Sequence, residues 1–213
     1  MIPRRMLIGV MGGGLLAPTI GRRLFHQAAV ETGAAPGEAG EIARHRPQLF
    51  DDPADPVEGN PLGRVGIVEF FDPRCPYCKA MRPVMRRLTG SDKSIRLIQK
   101  TLAMLGPDST LEARVIIAAG LQNGAIPMRA WIMDQGPPPS LDAMLAAARD
   151  RNLDAAKLRK AMEGETVQRM LAANMALAAA LGIDGTPSFI IGNTLVPGAV
   201  SLATMRGIIA ANA

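Results

Sequence analysis

The chain carries two cysteines, Cys75 and Cys78, separated by Pro76 and Tyr77 inside the stretch VEFFDPRCPYCKAM. A Cys-x-x-Cys pair can be half of a metal site, a structural staple or a redox centre. Two thiolates cannot complete a four-ligand zinc site, and the two histidines, His26 and His45, lie upstream with no ligand-like spacing between them. No metal is therefore expected. A staple closing so short a loop removes little unfolded-chain entropy, and 213 residues with 48% hydrophobic side chains can build a core without one. Redox chemistry is the reading that uses both sulfurs.

That chemistry needs a scaffold that gives the two thiols different surroundings. RVGIVEFF, residues 64–71, is β-branched and aromatic with little alternation, which predicts a central strand covered on both faces. Asp72 and Pro73 end it. Pro76 suits a first helical turn because it has no N–H to satisfy, and KAMRPVMRRL continues at helical spacing, with a kink expected at Pro83. If Cys75 caps this helix, its sulfur faces unpaired N–H groups and the positive end of the dipole, and Arg74 and Lys79 add positive charge. Its thiolate is favoured. Cys78 lies on the same helical face one turn deeper, near enough for a disulfide but better shielded. Cys75 is then the nucleophile and Cys78 the resolving thiol. A substrate thiolate attacks Cys75 of the oxidised pair, a mixed disulfide forms, and a second substrate thiolate releases Cys75. The reverse attack, by reduced Cys75 on a wrong disulfide, gives isomerisation.

IRLIQK, residues 95–100, predicts a second strand parallel to the first across the helix. Nearly pure helix signal follows. Ser109 or Asp108 can cap TLEARVIIAAGLQNG, Trp131 sits in the next segment, Ser140 can cap LDAMLAAARDR, and DAAKLRKAMEG and ETVQRMLAANMALAAALG complete the block. PSFIIG returns to strand, Gly192-Asn193 turns it into TLVPG, and SLATMRGIIAAN closes the chain as a Ser-capped helix. The organisation expected is an export segment over 1–29, a linker over 30–60 holding one short helix in GEIARHRPQLF, and an α/β domain over 61–213 with a helical insertion at about 102–182. The linker reading rests on the X-Pro steps of DDPADPVEGNPLG, which forbid regular helix.

Arg4-Arg5 followed by MLIGVMGGGLLAPTI has the length of a signal-peptide core and falls short of a bilayer span. The cleavage position, a twin-arginine route and an uncleaved anchor all stay open, because Arg22-Arg23 follow directly. The formal charge is +5, and the basic and acidic residues of 1–56 cancel, so the excess belongs to the rest of the chain. It is scattered in pairs such as Arg86-Arg87 among few aromatics, the pattern of a solvated face and not of a nucleic-acid surface.

VEFFDPRCPYCK, preceded by DPADPVEGNPLG and followed far downstream by GIDGTPSFIIG, resembles the DsbA-like thioredoxin-fold oxidoreductases of the bacterial cell envelope, including the ScsC-like branch, over about residues 49–213. The resemblance implies a thioredoxin-like fold with an inserted all-helical domain and no cofactor beyond the cysteine pair. It also implies a periplasmic or envelope location, protein or peptide thiol and disulfide substrates, and a membrane or soluble redox partner that recycles the pair. Glu69, six residues before Cys75, matches the family's buried acid near the resolving cysteine and so a relay for its proton. Pro187 matches the cis-proline, and Thr186 would present backbone to an extended substrate beside Cys75, with Pro76 and Tyr77 on the other side. The residues around 40–50 are a candidate for self-association.

Two positions depart from the pattern. DsbA itself usually has His where Tyr77 stands, and a tyrosine cannot carry positive charge, so a less oxidising protein is expected. Thr186 before the proline is more like the isomerase-type relatives. Oxidase, isomerase and reductase directions stay open. Two other readings compete: a cytosolic glutaredoxin-like reductase, since CPYC occurs there too, and a peptide-binding chaperone module that does not use its thiols.

Overall fold

The computed structural model describes residues 36–212, so the export segment expected over 1–29 lies outside the described residues. The fold is built around β2 (Val65–Phe71), whose residues are all buried except Gly66. Such a run has no solvent face, so both of its faces must be covered. β3 (Ile95–Thr101) pairs parallel to it, from Val65 opposite Ile95 to Phe71 opposite Thr101. A parallel pair needs a crossover, supplied by α3 (Pro76–Ser91), which runs through Pro83. β4 (Ser188–Ile191) lies antiparallel on the other side of β2, and β5 (Thr194–Pro197) returns along it, with Ile191 opposite Thr194 across a two-residue turn. Gly192 in that turn sits at φ +60°, a conformation glycine adopts without strain. The sheet order is β1-β3-β2-β4-β5, with β1 (Val57–Gly59) antiparallel at the outer edge of β3.

One face of the sheet, with Val65, Ile67, Leu97 and Phe189, packs on Met81, Met85 and Leu88 of α3 and on Met205 and Ile208 of α9 (Leu202–Asn212). The other face, with Val68, Phe70, Ile98 and Ile190, is covered by Ile42 of α1 (Pro36–Arg44), by Leu49 and Phe50 of α2 (Arg46–Phe50), and by Leu177 from the end of α8 (Glu165–Ala180). Residues 36–59 therefore differ from the linker with one short helix expected there. They form two helices and a strand, because an internal strand must be covered on this face and Ile42, Leu49 and Phe50 are the apolar residues that cover it. The X-Pro steps block helix as expected, but they leave the edge strand free to pair, and the Pro56 carbonyl accepts a hydrogen bond from the Gln99 N–H at 3.0 Å.

Between β3 and β4 the chain folds into α4 (Pro107–Gly120), α5 (Ala125–Asp134), α6 (Leu141–Arg149), α7 (Ala155–Glu163) and α8. These helices share a core of alanine, isoleucine and methionine that also takes in Phe71, Cys75 and Cys78, so the cysteine pair sits where the sheet meets the helical block. Ser140 and Asp154 cap α6 and α7 through side-chain oxygens. The start of α4 differs from the Ser109 or Asp108 cap expected. Gly106, at φ +94°, precedes Pro107 as the first helical residue, and the Ser109 hydroxyl bonds elsewhere. Among the described residues no helix is long and apolar enough to cross a membrane.

Candidate active site

Cys75 is the N-cap of α3, with extended backbone at φ −67° and ψ 119°. Its sulfur accepts from the Cys78 N–H at 3.4 Å, one of the donors that a helix start leaves unpaired. The same sulfur donates to the Thr186 carbonyl at 3.1 Å. The two cysteines are not bonded to each other. Cys75 retains 4% of its surface and Cys78 none, an asymmetry that follows from their places at the N-cap and in the first turn of one helix. Burial pushes the Cys78 thiol well above the ordinary range; a side-chain hydrogen bond involving Thr186 opposes the shift without overcoming it. The Thr186–Pro187 peptide bond is cis. The loop that carries it is pinned on both sides, by the Ser188 hydroxyl on the Gly185 carbonyl at 2.8 Å and by the Gly198 N–H on the Pro187 carbonyl at 2.8 Å. Pro76 and Tyr77 face outward, Tyr77 with 66% of its surface exposed. Cys75 and Thr186 thus come together from positions 111 residues apart, with Cys78 and Pro187 brought in beside them.

Glu69 is fully buried on β2, and its Oε1 accepts from Arg129 Nη2 at 2.8 Å. Arg129, from α5, also lies 4.1 Å above the Phe71 ring and 3.9 Å from the Glu58 carboxylate, which in turn accepts from Gln99. Burial raises the Glu69 carboxyl, and the Arg129 guanidinium pulls it back. Among the described residues no hydrogen bond joins Glu69 to either cysteine, and its Oε2 has no partner. The expected relay acid therefore meets a cation from the helical block that its own sequence surroundings do not announce.

Arg74 and Lys79, expected to bring positive charge to Cys75, are tied down at the end of α5. Arg74 Nη2 donates to the Gly136 carbonyl at 3.3 Å, and Lys79 Nζ to the Gln135 carbonyl at 2.8 Å. Arg82 pairs with Asp134 beside them. Cations at a helix C-terminus complement its dipole, so these contacts also fix the cysteine helix to the insertion.

Two further acids were not apparent from sequence. Asp72 reads as a strand breaker, yet its buried carboxylate accepts from the Arg74 N–H at 2.8 Å, the Met104 N–H at 2.7 Å, the Leu105 N–H at 3.2 Å and the Ser109 hydroxyl at 2.5 Å. Its carbonyl accepts from the Cys75 N–H at 3.1 Å, so one residue sets the cysteine loop against the segment after β3. The bond to the N–H two residues on is an Asx-turn, a signal that Asp-Pro-Arg does carry. Glu112, on α4, has 1% of its surface exposed and stands 3.6 Å from Arg74 Nη1. Burial pushes its carboxyl up to about 7, against the pull of Arg74 and Lys79.

A dithiol at a strand-to-helix corner, faced by a cis X-Pro loop and roofed by helices inserted ahead of that loop, is the arrangement of the thioredoxin-like α/β class with an inserted helical domain. The family model described as "DSBA-like thioredoxin domain" matches residues 66–210, and the chain belongs to that family, one of thiol–disulfide oxidoreductases. It is similar to a thioredoxin-like oxidoreductase from Silicibacter pomeroyi DSS-3, with 36% identity, 78% of this chain and 96% of that one covered, and a TM-score of 0.73. A periplasmic thioredoxin-like protein from Salmonella enterica serovar Typhimurium shares 27% identity over 78% of this chain and 94% of its own, with a TM-score of 0.70. The catalytic domain of Proteus mirabilis ScsC, at 24% identity, shares the fold over 82% of this chain and 97% of its own, with a TM-score of 0.73. No curated protein sequence matches the chain.

Proposed function

We propose that the protein carries out thiol–disulfide exchange on exported proteins, forming or rearranging their disulfides, with Cys75 as nucleophile and Cys78 as resolving thiol. The observation that carries this reading is the placement of the Cys75 sulfur between the α3 N-terminus and the Thr186 carbonyl, with Cys78 buried behind it. A thiolate at Cys75 faces the unpaired N–H groups of the helix, whereas burial disfavours one at Cys78. Cys75 therefore attacks and leaves, and Cys78 closes the intramolecular disulfide. Thr186 and Pro187 form the wall along which an extended substrate lies, with Pro76 and Tyr77 opposite. Glu69 serves as the buried acid of the site, its charge held by Arg129. Export to the periplasm or envelope is supported by the Arg4-Arg5 segment with its apolar run and by the periplasmic Salmonella relative.

Replacing Cys78 by Ser in cells is expected to trap mixed disulfides between Cys75 and client proteins of the cell envelope, which non-reducing gels and mass spectrometry would identify. Full biological activity of a Cys75→Ala variant would falsify the enzyme reading in favour of a binding module. Partial alkylation of the reduced protein is expected to label Cys75 ahead of Cys78, and equal labelling would overturn the assigned roles. Cell fractionation tests the address: a full-length chain soluble in a reducing cytosol is the result that would sink export.

A further inference from the structure

Glu112 is a buried acid that the exchange scheme does not use. It sits on α4 of the helical block, against Arg74, the residue immediately before Cys75. Arg74 spends Nη2 on the Gly136 carbonyl and turns Nη1 toward Glu112 Oε1 across 3.6 Å, outside hydrogen-bond range. Neither Glu112 oxygen has a hydrogen-bond partner, and neither does Arg74 Nη1, although all three atoms are buried. A pair built for rigidity closes this distance, because unpaired buried charge is costly. Here the gap is left open.

We infer that Glu112 is a positioning residue for the Cys75 thiol, an ionisable counter-charge on the helical block that sets how much of the Arg74 and Lys79 field reaches the nucleophile. The inference rests on thiol exchange at Cys75. The charged groups acting on Glu112 are Arg74 from the loop ahead of α3, Lys79 from its first turn, Asp72 from the end of β2 and Asp108 from α4 itself. The two cations favour the anion, whereas burial and the two acids favour the neutral carboxyl, and the balance brings it up to about 7. When Glu112 is neutral, the positive charge of Arg74 and Lys79 is uncompensated and supports a thiolate at Cys75. When Glu112 is ionised, it offsets that charge, and the thiolate loses support. Linkage makes the effect reciprocal: an anion at Cys75 draws a proton from solvent onto Glu112, and consuming that anion in a disulfide releases the proton.

The test is the redox equilibrium of full-length wild type and Glu112→Gln with reduced and oxidised glutathione, measured at about pH 5.5 and about pH 8. Removing the charge stabilises the reduced form wherever wild-type Glu112 is ionised. At the higher pH the variant should be reduced with an equilibrium constant roughly three- to tenfold above wild type, the size expected of one nearby charge in a protein dielectric. At the lower pH the two should agree within about twofold, because wild-type Glu112 is then neutral as well. A ratio that is the same at both pH values overturns the inference, since loss of a merely structural side chain has no reason to follow the ionisation of Glu112. A second variant keeps the test open should Glu112→Gln fail to fold. Arg74→Gln removes the cation nearest Glu112, so it should shift the equilibrium away from the reduced form and move the pH inflection upward; an unmoved inflection counts against the inference. Wild type that does not exchange with glutathione at all sinks the reading of Cys75 itself, a result distinct from wild type that exchanges with a ratio blind to pH.

Discussion

Of the arginine–carboxylate pairs that join the sheet side to the helical block, Glu69 with Arg129 and Glu112 with Arg74 are built to different standards. In the first, β2 supplies the acid and α5 the cation, and they meet in a hydrogen bond of 2.8 Å with the guanidinium also over the Phe71 ring. In the second, the cysteine loop supplies the cation and α4 the acid, 3.6 Å apart with no hydrogen bond between them. The difference separates two uses of buried charge. A charge-assisted hydrogen bond in a dry site holds two elements at one spacing, because breaking it strands an ion. A looser contact leaves the acid free to exchange its charge for a proton at little cost. The tight pair therefore fixes Glu69 in place between sheet and helical block, and the loose one leaves Glu112 able to change its charge beside Arg74.

The sharpest way to break this contrast is to remove each arginine and measure unfolding by denaturant at neutral pH. Arg129→Ala strands Glu69 in the core and is expected to cost about 3–5 kcal/mol. An apolar double replacement, Arg129→Met with Glu69→Leu, should recover most of that loss, because no charge is then left buried. Arg74→Gln should cost less, on the order of 1 kcal/mol, because Glu112 answers by taking up a proton. Equal costs for the two arginine variants would erase the distinction.

The pH dependence sharpens it further. The folded-state carboxyl of Glu112 lies above its ordinary value of 4.5, at about 7, so the native state binds the extra proton. Its contribution to stability is whole below about pH 4.5 and is lost as pH rises through about 7. Comparing stability curves of wild type and Glu112→Gln should show this fall only in wild type, and parallel curves would contradict it. The smallest effect is expected where charge is fully wet. Arg169 and Glu165 pair at 3.0 Å on the surface of α8, one turn apart, and Arg169→Gln should change stability by roughly 0.5 kcal/mol or less. A larger loss there would mean that distance alone, not burial, ranks these pairs.

Much of the fold was legible because it is encoded locally. The unbroken apolar run of VGIVEFF demands a covered strand, the Asp-Pro break and Pro76 demand a turn into helix, and Ser140 caps where a short polar side chain meets a helical period. Residues 36–59 were harder to read. Their X-Pro steps correctly exclude long helix, but whether Ile42, Leu49 and Phe50 hang in solvent or cover a sheet depends on a face made by residues far along the chain. The site divides in the same way. Cys75 and Cys78 are neighbours on one helix, so spacing alone gives them unequal depth. Arg129 lies 60 residues from Glu69, and Ser109 lies 37 from Asp72, and no local signal links them.

Sequence by itself determined the dithiol, the helix that presents it and the order of strands and helices around it; the loop that would face it, GTP at 185–187, came only from the family resemblance. The first three follow from backbone preferences and side-chain periods that act within a few residues of one another. Tertiary structure alone decided which charges are paired and which are left open. Arg74 and Lys79, neighbours of Cys75 in the chain, are held at the end of α5, with Glu112 facing Arg74. The reason is physical: the worth of a charge depends on its burial and on the distance to its partner, and both exist only once distant segments have packed.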